Sequence, residues 1–156
     1  MNPETQNVIL GAVLGALFAV VGGGVGKKIE MWLNLRQERS FIKKGLIDEL
    51  DEIITVIGKL KETFEQTSQT PKSYIIDLKS NIEAYNHHRH RLFVLQGDDL
   101  RHKIIQFYRK LKDSLEDAEG KVGTLATSPQ AKQQQKDIVS KMEKFEQDAK
   151  ELKKLL

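Results

Sequence analysis

The sequence predicts an all-α protein, with one N-terminal transmembrane helix followed by a four-helix cytoplasmic bundle. Three observations carry this. An uncharged run, Val8 to Gly26, lies between Glu4 and Lys27 and approaches the ~20 residues a helix needs to cross a bilayer core. Beyond it, apolar residues recur at alternating spacings of three and four, the period of a helix packed along one side. The prolines fall only at Pro3, Pro71 and Pro129, leaving long helices unbroken between them, and no stretch alternates as a strand would. The expected organisation is an anchor over residues 1–26, a juxtamembrane stalk over 27–39 and a cytoplasmic helical ligand-binding domain over 40–156.

The flanks of the apolar run set its orientation. Glu4 precedes it, whereas Lys27, Lys28, Arg36 and Arg39 follow it. Positive residues stay on the cytoplasmic side, so a single-pass anchor in the inner membrane with a cytoplasmic C-terminal domain is expected. The charge order is the reverse of a cleaved signal peptide, and Trp32 is placed for the headgroup level. Within the run, Gly11, Gly15, Ala19 and Gly23 recur every fourth residue. Small residues on one face let helix backbones approach closely in lipid, which points to a homo-oligomer; the alternative is a lone anchor with incidental small residues. No ionisable side chain lies in the run, so a pore would have to be gated by hydrophobic constriction. Gly22 to Lys28 only superficially resembles a phosphate loop, because Val21 and Lys28 stand where glycine and Ser or Thr are required.

The first helix of the domain is expected from Ser40 to about Glu65, with Leu46, Leu50, Ile53, Ile57, Leu60 and Phe64 as its seam. Thr70 as N-cap and Pro71 at the first helical position open a second helix running to about Val94. Its stripe is Ile75, Leu78, Ile82, Tyr85 and Leu92, with Arg89 in a slot where an apolar residue is expected. Gly97 then stops that helix, and Asp98 or Asp99 caps the third, whose stripe is Leu100, Ile104, Phe107, Leu111, Leu115 and Ala118. Ser128-Pro129 starts the last helix, striped by Ala131, Gln135, Ile138, Met142, Phe145, Ala149, Leu152 and Leu156. Short connections favour antiparallel neighbours.

The formal charge, +3 from 25 basic and 22 acidic residues, is too small for a general DNA binder. Cysteine is absent, which fits a reducing compartment and removes thiol chemistry and cysteine-based zinc sites. No nucleophile with a paired base and no separated carboxylate pair is evident, so neither an enzyme nor a cofactor is expected.

The chemistry gathers in one place. All four histidines, His87, His88, His90 and His102, lie at the ends of the second and third helices, interleaved with Arg89, Arg91, Arg101 and Lys103. These eight residues read as an anion-binding patch, since guanidinium and imidazole groups offer directional donors to phosphate. Tyr85 and Tyr108 could add a stacking surface for a base. A solvated basic helix end, a histidine pH switch and a zinc site on His87, His90 and His102 are the competing readings. Arg89 is the pivotal residue: in an apolar stripe it must either pair with an acidic residue or line a cavity or subunit seam where a ligand supplies the anion.

A short glycine- and alanine-rich span followed by a small helical domain bearing HHRHR, His87 to Arg91, resembles the small membrane effectors of type III CRISPR systems. That resemblance implies a tetramer, a cyclic oligoadenylate ligand with cyclic tetra-adenylate favoured, and antiviral action through membrane perturbation. A membrane-tethered helical adaptor that recruits a protein partner is the alternative. The same basic residues could also meet anionic membrane lipid.

Overall fold

The computed structural model describes residues 3–122 and 128–156; for 3–14, 16–24, 83–84 and 87–88 it describes the backbone alone. Among the described residues there is no strand. The elements are α1 (Pro3–Thr67), α2 (Lys72–His88), a 3₁₀ segment (Arg89–Val94), α3 (Asp98–Glu119) and α4 (Pro129–Leu155). The chain divides into two units, Met1–Ser40 and Phe41–Leu156, and α1 contributes to both.

From Pro3 on, the residues of the expected anchor, stalk and first bundle helix all fall within α1, so no new helix begins at Ser40 as expected. Gly22 to Gly24, Gly26 and Ser40 do not break it. Each glycine costs a helix only ~1 kcal/mol relative to alanine, and no proline falls between Pro3 and Pro71. Among the described residues no helix is long and apolar enough to cross a membrane. The side chains of Val8 to Gly26, apart from Gly15, Val25 and Gly26, lie outside those described, and so do those of Gly11, Ala19 and Gly23. Further along the first unit Val25, Ile29, Met31, Trp32, Leu33 and Leu35 are exposed, and the Arg36 guanidinium sits 5.5 Å from the centre of the Trp32 ring.

The second unit is an up-and-down bundle whose polar ties fix the direction of each helix. On α1 and α2, the Thr63 and Tyr74 hydroxyls lie 3.2 Å apart across the connecting turn. Lys79 pairs with Glu119 at 2.6 Å between α2 and α3, while Asp117 accepts from Lys141 at 3.3 Å between α3 and α4. Between α4 and α1, Lys153 reaches Asp51 at 2.6 Å and Lys43 donates to the Leu156 carbonyl at 2.7 Å. Each pair joins residues running in opposite chain directions, so every neighbour is antiparallel.

The core is where the periodicity placed it. Leu50, Ile53, Ile57, Leu60, Ile75, Leu78, Ile104, Leu111, Leu115 and Met142 are fully buried. On α4, Gln135, Ile138, Met142, Phe145, Ala149 and Leu152 are buried, with Ala131 and Leu156 half-buried at the ends. Full burial of such aliphatic side chains contributes ~1.5–3 kcal/mol each, which holds four otherwise marginal helices together.

Three local details differ from the expectation. Pro71, not Thr70, occupies the N-cap of α2; Thr70 is buried, and its backbone N–H donates to the Gln135 side chain at 3.2 Å. Gly97, at φ 93°, is the N-cap of α3, placing Asp98 and Asp99 in its first turn instead of at the cap. That positive φ suits glycine, which has no Cβ to clash. Finally, α2 stops at His88 and the chain tightens to 3₁₀ winding. Along it Leu92, as expected, and Val94 are buried, whereas Arg89, the C-cap of α2 with helical φ and ψ, is exposed rather than part of the apolar stripe. The expected cap on α4 is present: the Ser128 hydroxyl accepts from the Ala131 N–H at 3.1 Å, with Pro129 at the first turn.

Candidate anion-binding site

The eight residues of the sequence-level patch do not form one site. Arg89 lines a cleft of about 360 Å³ between the end of α2 and the middle of α3, together with Asn86, Arg109, Lys112 and Asp113. Arg101 serves the turn instead. Its guanidinium donates to the Phe93 carbonyl at 3.2 Å and pairs with Asp98, fastening the 3₁₀ segment to the start of α3. Lys103 faces the opposite side of α3, in a groove with Lys110, Asp148 and Glu151. His90 and His102 are exposed and Arg91 is half-buried. The side chains of His87 and His88 lie outside those described, and with them the zinc reading on His87. Among the described residues no group of three histidine or carboxylate side chains could hold a metal.

Arg89 lines a cavity as one of the two expected alternatives required, but it does so from solvent rather than from within the apolar stripe. The cleft brings three cations against one carboxylate, Asp113. Neither Arg89 nor Arg109 is held in an ion pair among the described residues, and Lys112 meets Glu116 only at 3.8 Å. Arginines with uncommitted donors can receive phosphate oxygens in bidentate fashion, and the Asn86 amide offers both a donor and an acceptor.

Arg109, Lys112, Asn86 and Asp113 were not singled out in the sequence, yet their spacing carries the signal. Ile82, Asn86 and Arg89 stand four and three apart on one ridge of α2, and Ile105, Arg109 and Lys112 do the same on α3. In an antiparallel hairpin those two ridges face each other.

Tyr85 and Tyr108 form the inner wall. They are not an open platform for a base: both are buried, and their rings stack on each other at 3.7 Å with planes 1° apart. The Tyr108 hydroxyl donates to Glu49 of α1 at 3.1 Å, whereas the Tyr85 hydroxyl is buried with no hydrogen-bond partner among the described residues. Burial pushes the Tyr85 phenol up to about 12 against the opposing influence of Arg89, and raises Tyr108 further, helped by the Glu49 charge. Both phenols are therefore neutral at physiological pH. Glu49 is half-buried, and its carboxyl is raised above the ordinary range, first by burial and then by Glu52, with the Tyr108 hydrogen bond opposing. No protein-family model, curated protein or solved structure matches the chain.

Proposed function

We propose that this protein is a membrane effector anchored by Val8–Gly26 in the inner membrane, whose cytoplasmic helical domain captures a phosphate-bearing nucleotide in the Arg89 cleft. The observation that carries this reading is the convergence of Arg89, Arg109 and Lys112 on one cleft with a single opposing carboxylate. A cyclic oligoadenylate, cyclic tetra-adenylate above all, is the favoured ligand on the strength of the layout. A cleft of about 360 Å³ is at the small end of ligand sites, with room on the order of one nucleotide. A cyclic tetranucleotide would then be shared among copies, in keeping with a homo-oligomer, tetramer favoured, associated through Gly11, Gly15, Ala19 and Gly23. Capture of the ligand alters the domain, and α1, which runs from Pro3 to Thr67, passes the change to the span and perturbs the bilayer.

The test is calorimetric titration of the full chain in lipid nanodiscs with cyclic tetra-adenylate, with adenosine monophosphate and inorganic phosphate as controls. The reading expects saturable binding that weakens as salt rises, with dye release from liposomes on ligand addition. Absence of binding at low salt contradicts it. A second reading, the membrane-tethered adaptor, draws on Phe41 and Phe93, which are 65% and 66% exposed. It expects no nucleotide binding, and loss of the cellular effect when both are changed to serine.

A further inference from the structure

A second pocket, of about 110 Å³, lies against α1, α2 and the 3₁₀ segment and is lined by Phe41, Gly45, Leu46, Glu49, Tyr85 and Leu92. Its walls are apolar except for the Glu49 carboxylate. Glu49 is half-buried and accepts from Tyr108, yet among the described residues no cation pairs with it. A half-buried carboxylate on an apolar wall without a counter-charge is costly in a folded protein unless a cation answers it.

The shape and the aromatic rings narrow the ligand. Gly45 removes a side chain from the helix face on this wall, and a Cβ there would meet nothing within 4 Å. Phe41 and Tyr85 supply two aromatic rings, whose faces attract an organic cation. The volume is somewhat below the ~150 Å³ of an apolar cavity that takes benzene, enough for a body of about four carbons. We infer that this pocket is a binding site for a primary alkylammonium, its methylenes against Leu46 and Leu92 and its ammonium donating to Glu49. The inference goes beyond the nucleotide reading and does not depend on it.

The experiment uses the full chain in nanodiscs, titrated with n-butylammonium and, separately, with 1-butanol, following heat release and thermal unfolding. Saturable butylammonium binding is expected, with 1-butanol about tenfold weaker or worse, the loss of one charged contact. Glu49→Gln should weaken butylammonium by about tenfold or more while still accepting from Tyr108. Gly45→Leu should fill the pocket and abolish binding; should it fail to fold, Glu49→Gln and the alcohol still decide. Arg89→Ala should leave butylammonium binding intact or tighten it, separating this pocket from the nucleotide cleft. No saturable binding, equal affinity for 1-butanol, or an unchanged affinity in Glu49→Gln overturns the inference.

Discussion

Tyr85 and Tyr108 offer a controlled comparison, because the same change, tyrosine to phenylalanine, removes a hydroxyl from each member of one stacked pair. The rings lie 3.7 Å apart and parallel, and phenylalanine preserves that contact, so the two variants differ in the hydroxyl alone. Tyr108→Phe deletes the donor to Glu49 at 3.1 Å. A hydrogen bond to a charged group contributes ~1.5–3 kcal/mol, and since Glu49 is only half-buried, water replaces part of it; the lower end, about 1.5 kcal/mol, applies. For a chain of 156 residues that corresponds to a melting temperature lower by about 3–6 °C. Tyr85→Phe removes a buried hydroxyl that has no partner among the described residues. No group is left unpaired, and relief of the desolvation cost should stabilise by about 1 kcal/mol. The assay is thermal unfolding followed by circular dichroism at neutral pH, in one detergent for all three proteins. Equal losses in both variants, or destabilisation by Tyr85→Phe alone, would refute the assignment of hydrogen bonds around Glu49.

Three further outcomes can be measured on the same preparation. The Glu49 carboxyl is raised in the folded state, so the native protein holds a proton that the unfolded chain releases, and stability falls as pH rises from the ordinary value of 4.5 through the raised one. Glu49→Gln should remove that slope, stabilising the protein at pH 7 and leaving it unchanged below pH 4.5; identical pH profiles for variant and parent would contradict the burial of this group. Ser128→Ala, which removes the cap on Ala131, should cost ~1 kcal/mol in a denaturant titration, and Ser128→Asp should restore it. Met142→Ala, at a site with no exposure, should cost ~2–5 kcal/mol, with a loss below 1 kcal/mol placing α4 off the core.

Helix class, most of the core and the cap of α4 were legible because each rests on a short-range rule. Spacings of three and four marked Leu50, Ile53, Ile57 and Leu60, and Ser128-Pro129 carries a cap signature that needs no partner from elsewhere. What failed was phase. Arg89 was assigned to the apolar stripe of Tyr85 and Leu92, yet it stands with Ile82 and Asn86 on the neighbouring ridge and faces a solvent-open cleft. The patch as a whole was misjudged for a related reason. Closeness in sequence gathered Arg89, Arg101 and Lys103, but successive residues on a helix point 100° apart. Arg101 therefore closes a turn and Lys103 joins a different groove. Arg109 and Lys112 lay far from the histidines in sequence and were brought to Arg89 by the antiparallel packing of α2 on α3. The meeting of Tyr85 with Tyr108, and of Tyr108 with Glu49, depends on three helices at once, and no local pattern encodes it.

The central claim is that the anion site is the Arg89–Arg109 cleft, not the run of basic residues at the helix ends. Its most direct test is the affinity for cyclic tetra-adenylate of Arg109→Ala and Arg91→Ala, measured in parallel by calorimetry on the full chain, with helicity checked by circular dichroism. Loss of a charged hydrogen-bond partner costs ~1.5–3 kcal/mol, so Arg109→Ala should weaken binding by roughly 10- to 150-fold, while Arg91→Ala should stay within about threefold of the parent. A large loss in Arg91→Ala with Arg109→Ala unchanged would contradict the account.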